Sequence, residues 1–487
     1  MRLRRYPRYR PSGVEWLGRV PGHWAVGRAR QCLEVNPRGG RLRALAPGAE
    51  VSFVPMEAVG EYGGLRLDAT RAAFEADAGY TPFQDGDVLV ARITPCFENG
   101  KGALARGLVN GAGMGSTELH VLRAGPLLEP GYLFYLTLSH PFRQLGAEEM
   151  KGAGGQGRVS AEFCRDFPMP VPPLAEQRAI AAFLDGRMAE IGRLIGGQAA
   201  QHAKLGELRT ELVSSAVATV PPGHAAGRAS PPLPRGARVA ELWGDIPAHW
   251  AVERLRFSLR RVEQGWSPLC DGHPAADGEW GVLKVGAVNG GRFDPSENKA
   301  LPAGDAPQEQ YEICPGDLLV SRANTPELLG SAALVDCVRP RLLLCDKLYR
   351  LHLREDRLLP QMLLHILGSR PARAQLANQA TGTSASMQNI DQDALLNLWI
   401  ARPPLSEQRE IAARLSVRTE RIDRAREKIE AAIVRLKEYR TTLITAAVTG
   451  QIDVRGEPSQ VDDESCIDHD PAQWSSGFRS MAEAVTA

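Results

Sequence analysis

Between Pro403 and Thr449 apolar residues recur with a helical period for longer than one small domain can use. Leu415, Ile422, Ile429, Leu436 and Leu443 fall every seven residues, with Ile411, Ala425, Ala432 and Tyr439 four places before four of them. A seven-residue apolar repeat held this long predicts an amphipathic helix of coiled-coil type. The stretch occurs twice: PPLAEQRAIAAFL begins at Pro172 and PPLSEQREIAARL at Pro403, an offset of 231. Subtracting that offset carries the seam to Ile180, Leu184, Ile191, Leu194, Leu205, Leu208 and Leu212, with polar Gln198 and Gln201 near the middle. Each copy runs for ~47 residues, or ~70 Å at 1.5 Å per residue, so the obvious partner for each stripe is the other. Paired prolines suit both helix starts, because proline lacks the amide hydrogen that a first turn cannot bond. Gly450 marks the end of the second helix, and Pro221 and Pro222 the end of the first.

The segments between the helices are duplicated as well. SGVEWLGRVPGHWAVGRAR (12–30) is echoed by VAELWGDIPAHWAVERLR (239–256), and GDVLVAR (86–92) by GDLLVSR (316–322). The chain therefore reads as a tandem of two units, each a globular part followed by a long helix. Strands are predicted at 51–57, 87–93, 117–123 and 167–172 in the first part, and at 281–288, 317–323 and 347–354 in the second. Helices are predicted at 133–151 and 359–379. The resulting expectation is an α+β protein: a basic tail at 1–13, a globular domain at 14–171, a long helix at 172–218, a linker at 219–238, a second domain at 239–402, a second helix at 403–450 and a C-terminal segment at 451–487. The repeated His-Trp pair at His23 and His249 reads as packing rather than catalysis.

Composition narrows the class. At 487 residues, 43% hydrophobic and 24% charged, the chain exceeds one core and is ordinary for a globular protein. No stretch reaches the ~18 to 20 apolar residues of a membrane span, so the cytoplasm is the default expectation and no membrane partner is predicted. The eight cysteines stand apart, without a CxxC or a paired metal-ligand spacing, so no metal site is expected. Charge is balanced at +1 overall but polarised at the ends: residues 1–10 hold five arginines and no acid, and 457–487 hold seven acids and one arginine. Both blocks read as mobile tails.

With these motifs in view, the chain resembles the specificity subunit of type I restriction-modification systems. GYTPFQDGDVLVARITPCFENGKGALARGLVNGAGMGSTELHVLRA (79–124) looks like that family's target recognition domain, and the EWLGxxPxHW segment, both PPLxEQR helices and LITAAVTGQIDVR (443–455) match its recurring segments. The resemblance covers about residues 12–455. The Arg-rich start, the adjacent Gly196 and Gly197 and the acidic end depart from it. It implies a non-catalytic reader of double-stranded DNA: two target recognition domains, related by an approximate two-fold axis, each read half of a split, asymmetric site, separated by an antiparallel coiled coil. It implies two methyltransferase subunits and translocating restriction subunits as partners, with S-adenosylmethionine, ATP and magnesium on those partners and no cofactor on this chain. Helix length would then set the gap between half-sites, one heptad being ~10 Å, or about three base pairs.

Base edges are best read by Arg, Lys, Asn and Gln, whereas phosphates accept from any well-placed donor. In the first domain Arg92, Asn99, Lys101, Arg106 and Asn110 lie in or beside a Gly-rich stretch, and Lys151, Gln156 and Arg158 form a second loop. The second domain offers Arg322, Asn324 and Lys347, then Gln379, Thr381, Thr383, Ser384, Gln388 and Asn389. Two rival classes are weaker. GAGGQG (152–157) satisfies GxGxxG but follows a predicted helix rather than a strand; SPPL (230–233) lacks the aromatic of an adenine methyltransferase motif; and Glu297 and Lys299 lack the upstream Asp strand of a nuclease. A coiled-coil scaffold, or a DNA-binding protein without restriction partners, explains the helices but leaves the duplicated globular parts, or the dock, without a use.

Overall fold

A computed structural model describes residues 4–37, 40–152, 156–218, 243, 246–384 and 387–456. The linker at 219–238, the acidic segment at 457–487 and the side chains of Thr383 and Ser384 lie outside the described residues. The chain forms two compact units. Of the described residues, one unit takes those up to Ala199 together with Glu430 to Gly456, and the other takes those from Ala200 to Ile429.

The first unit carries two four-stranded sheets. One has the order Leu33–Val35, Leu119–Ala124, Asp87–Ala91, Gly102–Leu104, with every pair antiparallel. The other has the order Thr70–Ala72, Glu50–Val54, Ala112–Gly115, Thr81–Gln84, with one parallel pair. Strand Asp87–Ala91 is buried at every position, which is why it reads as an unbroken apolar run after its aspartate. In the second unit the matching sheet has the order Leu259–Gln264, Leu348–Leu353, Leu318–Ser321, Ala332–Leu334.

Two expectations change in detail. The helix expected over 133–151 is two helices, Pro130–Leu138 and His140–Glu148, and the one over 359–379 is likewise Pro360–Gly368 and Arg370–Gln379. Pro141 and Pro371 explain both breaks, since proline cannot donate into the ladder and collides with the carbonyl four residues back. Ser139 and Ser369 close the first helix of each pair by donating Oγ–H to Leu136 O and Ile366 O, at 2.7 and 2.6 Å. The strand expected over 281–288 stops at Leu283, and a 3-10 segment, Val285–Gly291, follows.

The basic start is also not a tail where it is described. Tyr9–Pro11 pairs with Arg19–Pro21, and the Asp453 amide donates to Arg4 O at 2.8 Å. Tyr6 is buried edge-on against Trp24, with the Arg455 guanidinium 4.9 Å from its ring centre. The tyrosines interleaved with the arginines anchor the segment by burial, which a reading of charge alone overlooks.

The long helices run Leu174–Ala216 and Leu405–Val448. In the first unit Ile180, Leu184 and Ile191, from the head of one, share a core with Leu443, Ile444, Ala447 and Val448, from the tail of the other. In the second unit Val213 and Val217 share a core with Ile411 and Leu415, and Arg209 Nε donates to Asp423 Oδ1 at 2.9 Å. Head meets tail inside each unit, so the helices pack antiparallel there. The seam differs from the expected heptads. Leu194, Leu208 and Tyr439 are 50%, 44% and 52% exposed, while Leu205, Leu212, Ile429 and Leu436 are half-buried and Ile422 is buried. Many inward positions recur at multiples of eleven residues, Ile180, Leu184, Ile191 and Ile195 with Val213 and Val217, and Ile411, Leu415 and Ile422 with Ile444 and Val448, while Leu443 keeps its heptad place in the core. Eleven residues in three turns is 3.67 per turn, so the buried face drifts off a strict heptad line over several turns.

Candidate nucleic-acid interface

The repeated motifs tie each globular part to its helix in the same way. His23 Nε2 lies 2.8 Å from Glu176 Oε2, and His249 Nε2 lies 2.7 Å from Glu407 Oε1, with Trp250 Nε1 donating to Glu407 Oε2 at 2.9 Å. These histidines hold a helix start. The neighbouring glutamines, Gln177 and Gln408, are fully buried. Gln177 Nε2 donates to Leu127 O and Pro172 O at 3.0 and 2.8 Å while Oε1 accepts from the Glu129 amide at 2.8 Å. Gln408 repeats the set with Arg357 O, Pro403 O and the Leu359 amide, at 2.8, 2.8 and 2.9 Å. Each globular part also touches the tail of the other long helix: the His140 amide donates to Thr445 Oγ1 at 3.0 Å, and the Arg370 amide to Ser214 Oγ at 2.9 Å.

A second shared frame sits where GDVLVAR and GDLLVSR end. The Arg92 amide donates to Glu118 O at 2.9 Å and Arg92 O accepts from the Val159 amide at 2.8 Å; in the second unit the Arg322 amide donates to Lys347 O at 2.8 Å and Arg322 O accepts from Ile390 at 2.9 Å. His120 Nε2 lies 2.9 Å from Val159 O, and Tyr349 Oη donates to Ile390 O at 3.2 Å. Burial pushes the His120 pKa down, so at neutral pH the ring donates as a neutral imidazole.

On this frame the first unit sets Arg92, Glu118, Lys151 and Arg158, where the second sets Arg322, Lys347, Thr381 and Asn389. Arg158 Nε and Nη2 clasp Glu118 at 3.0 and 2.8 Å, and Arg92 Nε reaches the same carboxylate at 3.2 Å. The bonded Arg158 guanidinium, aided by Arg92 against the opposing effect of partial burial, holds the Glu118 carboxyl below its usual pKa. The acid neutralises one of three cations, whereas Lys347 adds a charge to Arg322.

The remaining candidates divide. Asn99 and Gln156 are exposed at the same end of strand Asp87–Ala91 as Arg92; Lys101 lies there too, half-buried, but its Nζ turns back to donate to Met56 O at 3.1 Å. Arg106 and Asn110 stand at the other end; Asn110, at φ 55°, donates Nδ2 to Glu50 O at 2.9 Å, and its carbonyl accepts from Arg41 Nε at 3.1 Å. In the second unit Asn324 is buried and bonded to Asn289 Oδ1 and the Thr325 amide, which takes it off the reading surface. Lys347 and Gln379 are exposed. Gln388 and Asn389 are half-buried on strand Met387–Asn389, between Ala323–Asn324 and Thr381–Ser384. Glu118 was not among the expected residues, although aligning TELH with DKLY places it opposite Lys347. Among the described residues no cluster of three or more His, Cys, Asp or Glu could hold a metal ion. No described helix is long and apolar enough to cross a membrane.

Comparison with known proteins converges on one family. Residues 74–191 match the type I restriction modification DNA specificity domain. The chain is 27% identical over 495 residues to the type I restriction enzyme EcoEI specificity subunit of Escherichia coli, covering 87% of this chain and 80% of that one. It is 36% identical to the EcoAI specificity subunit of Escherichia coli over 163 residues, 33% of this chain and 27% of that one. A solved chain described under complex assembly and conformational transition of the type I R-M system superposes with a TM-score of 0.58 at 22% identity, covering 88% of this chain and 98% of that one. The specificity-domain match, the similarity to named specificity subunits along most of the chain and the shared fold all indicate a type I restriction-modification specificity subunit.

Proposed function

We propose that this chain reads a bipartite, asymmetric site on double-stranded DNA, one half with each globular part, and performs no chemistry itself. The long helices act as spacer and as dock for two adenine methyltransferase subunits, with restriction subunits joining for cleavage. S-adenosylmethionine, ATP and magnesium belong to those partners. The observation that carries this reading is the duplicated frame: backbone bonds are kept at Arg92 and Arg322, while the donors mounted around them differ. A conserved frame with divergent donors suits two readers of unlike half-sites. Methylation mapping in a host with and without the chain tests it. The expected result is a split site, methylated only when the chain is present. A scaffold or a stand-alone binder leaves methylation unchanged, and that result overturns the proposal.

A further inference from the structure

We infer that Arg158 reads a guanine in the half-site of the first unit, oriented by Glu118 as a positioning residue. This rests on the DNA-reading role proposed above and deepens it. Arg158 is bound on one edge only. Its Nε and Nη2 meet Glu118, and among the described residues no hydrogen bond is formed by Nη1. The side chain is 42% exposed, so the terminal edge of the fork faces solvent. A guanine presents two acceptors, O6 and N7, in the major groove, and the terminal edge of a guanidinium matches them with two parallel N–H donors. Holding an arginine by its inner edge removes rotamer freedom before DNA arrives, so less entropy is lost on binding.

The backbone beneath is equally fixed. Arg158 exchanges both backbone hydrogen bonds with Lys151, at 3.2 and 3.0 Å, and the Thr94 amide donates to Gly157 O at 3.0 Å. The second unit supplies the contrast. Its equivalent position is Asn389, and the place of Glu118 is taken by Lys347, so neither the fork nor its carboxylate buttress recurs. The two half-sites should therefore differ at the base this position reads.

The test is selection of DNA by the full-length chain from a pool of random-sequence duplexes, for the wild type, Arg158→Ala, Arg158→Lys and Glu118→Gln, with thermal melting of each. The wild type is expected to enrich a split sequence with a guanine at one position of one half. Arg158→Ala and Arg158→Lys should each lower the preference for that guanine by roughly 10- to 100-fold, the discrimination expected of a bidentate pair. The other half-site should be unchanged. Arg158→Lys keeps the charge and so should keep the salt dependence of binding while losing base preference. Glu118→Gln should weaken the same preference less. If the Arg158 variants weaken binding to all sequences equally, or leave the selected sequence intact, Arg158 is only a clamp on its loop and the inference is wrong. A wild-type chain that enriches no sequence overturns the DNA-reading proposal itself, and this inference with it.

Discussion

Replacing Gln177 with alanine tests whether the glutamine of PPLxEQR holds a globular part on its helix. The side chain is fully buried and makes three hydrogen bonds to main-chain groups on both sides of the junction. A net contribution of ~1 kcal/mol per bond puts the loss at about 3 kcal/mol, or roughly a 150-fold fall in the folded-to-unfolded ratio. For a unit of this size that corresponds to about 6 to 12 °C in Tm. Gln408→Ala removes the same three bonds from the second unit, so it should cost about as much. Urea unfolding, followed by the midpoint at constant slope, measures both. A loss below about 1 kcal/mol in either variant, against that expectation, or a large difference between the two, would refute the view that these glutamines are equivalent clasps.

Three further outcomes follow from particular residues. Gly196 and Gly197 are exposed inside the first long helix and an added Cβ at either meets no atom within 4 Å, so each Gly→Ala change should stabilise by ~1 kcal/mol in urea unfolding. His365 is buried and its pKa is pushed down to about 4, chiefly by burial. Its folded pKa lies below the unfolded value, so the unfolded state binds the proton first, and stability present above about pH 6.5 declines as pH falls toward 4, by at most about 3 kcal/mol. His365→Leu should flatten that decline, and an unchanged pH profile would show that another group causes it. Eleven residues added to each long helix, the period of the buried seam, add ~16 Å and should widen the DNA spacer by about five base pairs. An extended protein that methylates the original spacing would count against the helices as a ruler.

What was legible in the sequence was what the chain repeats. The offset between the PPLxEQR segments located both helix starts, and the burial of Gln177 and Gln408 explains why those letters recur. The seam was misread because Ile411, Leu415 and Ile422 satisfy a seven-residue and an eleven-residue spacing alike. Farther along the two part, where Ile444 and Val448 turn inward beside the heptad residue Leu443 and Tyr439 turns outward. An undistorted helix at 3.6 residues per turn lies between the two periods, so the choice falls to what packs against it. Which polar residues face outward was less legible still, because it depends on partners distant in sequence. Asn324 is bonded to Asn289, and Arg158 to Glu118, 40 residues away. Comparing the two units separates roles that one copy confounds. Positions whose bonds recur, such as Gln177 with Gln408 and Arg92 with Arg322, are accounted for by the fold. Positions that share the frame and differ in chemistry, Glu118 against Lys347 and Arg158 against Asn389, are left over by it. Two copies that needed only to fold would have no reason to diverge at a solvent-facing edge in charge and in donor geometry together, so that edge is where the half-sites should be told apart.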